Sequence, residues 1–159
     1  MADGINQKAA PAPGDPGLRG RRVALLGFGR SNQAALAFVR QHDPARIRIY
    51  DTRKSLPQGI TAPADLELRL GALPDDGFSD EEVLIVSPGL SAYLPEIERA
   101  RARGAEIVGD VELFARVVQK PVIGVTGSNG KSTVCAMCAA MAAGAGHKVA
   151  QIGRASCRE

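Results

Sequence analysis

The sequence predicts an α/β protein: a Rossmann-like parallel-sheet domain, followed by the first strand–P-loop–helix unit of a truncated second domain. Three observations predict it. Short apolar runs alternate with helix-length amphipathic stretches, the pattern of a parallel sheet covered by helices on both faces. Two of those runs lead into glycine loops, GFGRSN at 27–32 and TGSNGKST at 126–133. The composition is that of a globular chain, with 45% hydrophobic and 23% charged residues among 159, which excludes a mainly disordered chain, a collagen or a coiled coil.

The elements follow in order. Residues 1–20, rich in Ala, Pro and Gly without periodicity, read as a flexible leader, with order beginning at Arg21. Val23–Gly27 is an apolar run ending in glycine, a buried strand. Ser31–Arg40 carries one apolar face and reads as a helix. Arg46–Asp51 is a second strand, ending in an acid, and Glu82–Ser87 a third, stopped by Pro88-Gly89. Pro95–Arg103 is a charged surface helix, Ala105–Val108 a strand and Val111–Val118 a short helix. These make a domain over residues 21–118.

Residues 119–151 read as the start of a second domain: strand Val122–Thr126, the second glycine loop, helix Lys131–Ala143 and a strand from Lys148. One helix between two strands cannot cover a parallel sheet, so this domain is expected to be truncated. Residues 152–159, IGRASCRE, follow no strand or helix pattern and match the translation of a common sequencing adapter. They are expected to be a non-native tail.

With 4% aromatics and no Trp, the core has to be built from Ala, Val, Leu and Ile. A net charge of +3 is well short of a dedicated nucleic-acid binder. No apolar run reaches the roughly 18–20 residues a membrane span needs. The N-terminus lacks the layout of a secretory signal, and three Cys without one point to a reducing, cytoplasmic setting.

Thr126–Thr133 is the strongest motif. Phosphates need backbone N–H groups aimed at them, and a helix N-terminus supplies several. Gly127 and Gly130 let the backbone turn closely, with Ser128 and Asn129 between them. Lys131 supplies a point charge, Ser132 a hydroxyl for Mg²⁺ and Thr133 a second hydroxyl. Val125 stands where the strict Walker pattern has glycine. Gly27–Asn32 begins a dinucleotide fingerprint, with Asp51 as the acid roughly 20 residues on and Asn32 in place of the third glycine. NAD is one candidate ligand, a nucleotide-sugar another, and an unliganded turn a third reading. Ser87-Pro88-Gly89 lies at the same carboxyl edge, where open α/β sheets bind ligands.

Other features point to packing or solvent. Cys135 and Cys138 sit within a helix and lack a second pair for zinc. His42 and His147 read as surface residues, and Glu98–Arg103 as a solvated helix face.

Taken together, TGSNGKST, the preceding GDVELF at 109–114, GFGRSN, Tyr50–Arg53 and Val86–Gly89 resemble the Mur ligase family, most closely its D-glutamate-adding branch, over about residues 21–151. The resemblance implies an enzyme of peptidoglycan precursor synthesis, and so of cell-wall growth and division. Such an enzyme is an ATP- and Mg²⁺-dependent ligase that adds D-glutamate to UDP-N-acetylmuramoyl-L-alanine through an acyl phosphate. It implies that Arg30 and Ser31 lie over the diphosphate, that Asp51, Thr52 and Arg53 lie toward the uracil and ribose, and that Ser87, Pro88 and Gly89 form the facing loop. It implies ATP on Gly127–Thr133, with Lys131 catalytic and Ser132 on Mg²⁺. Its remaining metal ligands and its D-glutamate site would lie beyond Gln151, so the chain alone is expected to be inactive. It is expected to be a monomer, with no nucleic-acid or membrane partner. A non-catalytic nucleotide-binding module and a fragment of an NAD-dependent oxidoreductase remain the alternatives.

Overall fold

The computed structural model describes residues 14–151. The leader before Gly14 and the tail 152–159 lie outside the described residues. The chain divides into two compact units, up to Gln119 and from Lys120 onward.

The first unit is a five-stranded, all-parallel sheet with helices on both faces. Its strands are β1 (Arg22–Leu26), β2 (Arg46–Asp51), β3 (Glu67–Leu70), β4 (Val83–Val86) and β5 (Glu106–Gly109), and its helices α1 (Arg30–Arg40), α2 (Pro95–Ala102) and α3 (Asp110–Val117). The strand order is β3-β2-β1-β4-β5. The chain thus moves outward from β1 in one direction, returns, and continues from β4 in the other. That makes the gap between β1 and β4 the topological switch point of a Rossmann-like sheet.

Burial follows the pleat. Val23 and Leu25 of β1 join Ile47, Ile49, Val83, Ile85 and Val108 on one face, against Ala35, Leu36 and Val39 of α1 and Leu113 of α3. Ala24 and Leu26 join Leu84 and Val86 on the other, with Ile97 and Ala100 of α2 and the T-shaped pair Tyr50–Phe78. Both faces of β1 and β4 are buried, as continuous apolar runs in a doubly covered sheet require. The acids Glu96 and Glu98 in the first turn of α2, with Arg99 and Arg101 in its last, match the helix dipole.

In the first unit, three expectations are corrected. The ordered structure extends upstream of Arg21: Leu18 is fully buried in the core, and the Gly14 N–H bonds the Arg116 carbonyl at 3.0 Å. Arg116 donates to the Pro16 carbonyl, and Arg21 to the Gly17 carbonyl and the Glu106 carboxylate. A well-placed leucine and these bonds outweigh a composition poor in periodicity. Strand β3 has no counterpart in the sequence reading, although Leu66, Leu68 and Leu70 alternate with polar residues. It is the edge strand, its outward positions are charged, and Arg48 of β2 binds its Glu67 at 2.5 Å. Arg103 is more than a solvated face, because its guanidinium bonds the Gly77 and Phe78 carbonyls and anchors the turn before β4.

The second unit carries α4 (Lys131–Gly144). The expected strands at 122–126 and from 148 do not form, because neither segment pairs with another among the described residues. A strand exists only through its neighbour's hydrogen bonds. Val122, Ile123, Val134, Met137, Met141 and Val149 are all exposed.

Candidate functional site

Three loops meet at the carboxyl edge of the sheet. The first follows β1. Gly27 takes φ +76°, its N–H bonds the Tyr50 carbonyl at 2.7 Å, and a Cβ there would lie 2.9 Å from Leu90 Cδ1 and 3.1 Å from Ser87 Cβ. Glycine is therefore required twice, by backbone conformation and by the close approach of the loop after β4. That loop, Ser87-Pro88-Gly89-Leu90, is a turn closed by the Leu90 N–H on the Ser87 carbonyl. The Ser87 N–H bonds the Leu26 carbonyl at 2.9 Å. Pro88 and Gly89 are exposed at its tip.

The third loop follows β2. The Asp51 side chain is only 1% exposed. One oxygen accepts the Phe28 N–H at 2.7 Å, and the other accepts the Arg53 N–H at 2.9 Å and Arg53 Nε at 2.8 Å. The Arg53 guanidinium, together with these backbone donors, holds the carboxyl down at about 2 against the cost of burial. Arg53 also donates to the Phe28 carbonyl at 3.2 Å. The Phe28 peptide is thus clamped on both sides, while Phe28 itself is buried. Thr52 is exposed beside this clamp.

Helix α1 begins at this convergence. Its N-cap is Gly29, in extended conformation and without a side-chain cap. The N–H groups of its first turn have no acceptor within the helix, and the positive end of its dipole faces the edge of the sheet. Arg30 is exposed and Ser31 half-buried there. Asn32 is fully buried, and its Nδ2 donates to the Leu26 and Gly27 carbonyls at 2.9 and 2.8 Å. The N–H groups of the exposed first turn could hold a phosphate group. The structure thus brings together Arg30, Ser31, Asp51, Thr52, Arg53, Ser87, Pro88 and Gly89. The interlocking of Asn32 and Asp51 beneath them was not visible as spacing, since an acid at a strand end gives no sign of being saturated from within.

The second unit has its own loop. Gly127 and Gly130 have φ of +146° and +76°, and Gly130 caps α4 without a side-chain bond. Lys131 folds its ammonium onto the carbonyls of Gly127 and Ser128. Ser128, Asn129, Ser132 and Thr133 are exposed. An uncapped helix start, a left-handed glycine and an adjacent lysine fit a phosphate chain. Among the described residues no cluster of three or more His, Cys, Asp or Glu is placed to hold a metal ion. Cys135 and Cys138 are free thiols. His42 is half-buried, tilted against Phe38 at 4.3 Å with Nδ1 at the Phe38 carbonyl.

The order of the sheet and the loops at its switch point define a Rossmann-like class of α/β domain. Comparison with known families then places it: the description "Mur ligase MurD-like, N-terminal domain" matches residues 21–109, more than half of the chain, and the chain belongs to that family. Proteins named UDP-N-acetylmuramoylalanine–D-glutamate ligase are similar to it. That of Haemophilus influenzae is 38% identical over 134 residues, covering 84% of this chain and 30% of the relative. That of Sodalis glossinidius is 40% identical over 131 residues (82% and 30%). That of Nitrosococcus oceani is 44% identical over 129 residues (79% and 28%). The chain spans under a third of the length of these relatives.

Proposed function

We propose that this chain is the nucleotide-holding part of an ATP-dependent ligase that joins D-glutamate to UDP-N-acetylmuramoyl-L-alanine, and that the first unit binds the UDP end of that substrate. The observation that carries the reading is the uncapped start of α1 at the β1–β4 switch point, flanked by the Asp51–Arg53 clamp and the Ser87–Leu90 turn. The identity to ligases of this name supports it. Arg30 and Ser31 would take the diphosphate, Thr52 and Arg53 the uridine, and Ser87–Gly89 would close over it, with Asp51 acting through the groups it holds.

In the second unit, Gly127–Thr133 would hold ATP, with Lys131 on its phosphates and Ser132 toward Mg²⁺. Bound there, ATP and Mg²⁺ would supply the phosphoryl group that makes a carboxylate attackable by an amine. The residues' own part is to position those phosphates and offset their charge. A cytoplasmic enzyme follows from such substrates, and no helix among the described residues is long and apolar enough to cross a membrane.

The oxidoreductase alternative has less support. A dinucleotide site uses the acid after the second strand to accept a ribose hydroxyl, whereas both oxygens of Asp51 are occupied and buried. Titration of the chain with UDP and with NADH tests the choice. UDP binding, with amide shifts at Arg30, Ser31 and Thr52, is the expected result; NADH binding without UDP binding overturns the reading.

A further inference from the structure

We propose that Asn32 is a positioning residue for this site: from inside the fold its amide holds the carbonyls of the glycine loop inward, and so leaves the first N–H groups of α1 turned out to meet a diphosphate. The inference rests on the UDP reading above and adds to it a residue that touches no ligand.

Asn32 occupies the third-glycine position of the fingerprint, where glycine normally serves close packing of helix on strand. Here a larger side chain fits with no exposure at all. Its orientation is fixed by its partners, because only Nδ2 can donate to carbonyls. It donates to Leu26 O at 2.9 Å and Gly27 O at 2.8 Å, and reaches Ile85 O of β4 at 3.5 Å. One side chain on α1 thus ties together the two strands that flank the switch point and the loop between them.

The next carbonyl, of Phe28, is taken by Arg53. All three carbonyls of residues 26–28 are therefore engaged within the fold. The N–H groups of Arg30, Ser31 and Asn32, which open α1, have neither an intrahelical acceptor nor a side-chain cap. A phosphate is repelled by carbonyl oxygens and held by N–H groups, so fixing which of them face outward sets the affinity of the edge for anions. The Oδ1 of Asn32 has no partner among the described residues although it is buried. The side chain stays in place despite that unmet acceptor, as expected if its Nδ2 bonds hold it there.

The test compares UDP with uridine, which lacks the phosphates, on the 159-residue chain and its Asn32→Ala variant by ligand-observed NMR. Loss of the amide is expected to weaken UDP about tenfold while uridine binding stays within about twofold, well below the melting temperature of the variant. A purely structural role would weaken both ligands alike, and that result, or no loss for either, overturns the proposal. Should Asn32→Ala fail to fold, Asn32→Leu, similar in shape but without the Nδ2 donor, carries the same comparison. A wild-type chain that binds neither ligand overturns the UDP reading itself, and the role of Asn32 with it.

Discussion

Asp51 shows how one side chain can serve a site without reaching into it. Its carboxylate is ionised far below the usual range because Arg53 and two backbone N–H groups bind its charged form. The folded-state value lies below the unfolded one, so the stabilisation is present above about pH 4 and is lost as pH falls toward about 2. Near neutral pH this linkage is worth about 2 kcal/mol. Asp51→Asn is expected to lower stability by about that amount at pH 7 and to flatten the acid limb of chemical denaturation between pH 4 and 2. The slope that remains belongs to the other carboxylates held below their ordinary range: Asp65 by Arg40, Glu67 by Arg69 and Arg48, Asp76 by Ser79, and Glu106, which burial raises but the bonds from Arg21 and Arg116 lower by more. Unchanged acid sensitivity in Asp51→Asn would show that the clamp does not form. Leu18 makes a second case: Leu18→Ala is expected to cost about 2–4 kcal/mol in urea denaturation, whereas a residue in a loose leader would cost nothing measurable.

Among the elements, the β1–α1 junction is the most constrained. Gly27 sits at φ +76° under Leu90 and Ser87, so Gly27→Ala is expected to destabilise the first unit by about 2 kcal/mol or more. The same substitution should also weaken UDP binding by displacing the Ser87–Leu90 turn. The melting temperature and a UDP titration of the variant check both effects, and an alanine tolerated without loss in either would contradict the observed approach. Helix α4 is built differently. Its exposed Val134, Met137 and Met141 lie three and four residues apart, so they share one face of the helix. That helix has no buried residue, and its stability has to come from its alanines.

For the molecule as a whole, the two units differ in what holds them. The first buries two apolar layers against one sheet and is expected to unfold in a single cooperative step when residues 14–119 are produced alone, with fluorescence-independent probes such as far-UV circular dichroism and amide exchange giving coincident transitions. Two separate transitions would refute that. The 159-residue chain mixed with ATP, Mg²⁺, D-glutamate and UDP-N-acetylmuramoyl-L-alanine is expected to release no phosphate. Substrate-dependent release would show that the ligation chemistry needs no more than these residues.

Much of this was legible in the chain. The apolar runs at 23–26 and 83–86 are two-sided and continuous, as strands of a parallel sheet covered on both faces are, so fold class and most element positions followed from local pattern. The turns of the two glycine loops were legible because Gly27, Gly127 and Gly130 take backbone conformations that few other residues allow. Edge strand β3 was missed because its charged outward face hides a short leucine alternation, and the strands of the second unit were over-read because strand pairing depends on partners that periodicity does not supply. Leu18, the saturation of Asp51 and the inward hold of Asn32 are matters of what lies beside a residue in space. Some of those neighbours stand far off along the chain, as Ile85 does from Asn32, 53 residues on. Local sequence states which groups want burial or bonding; the packing of the sheet decides which of them meet.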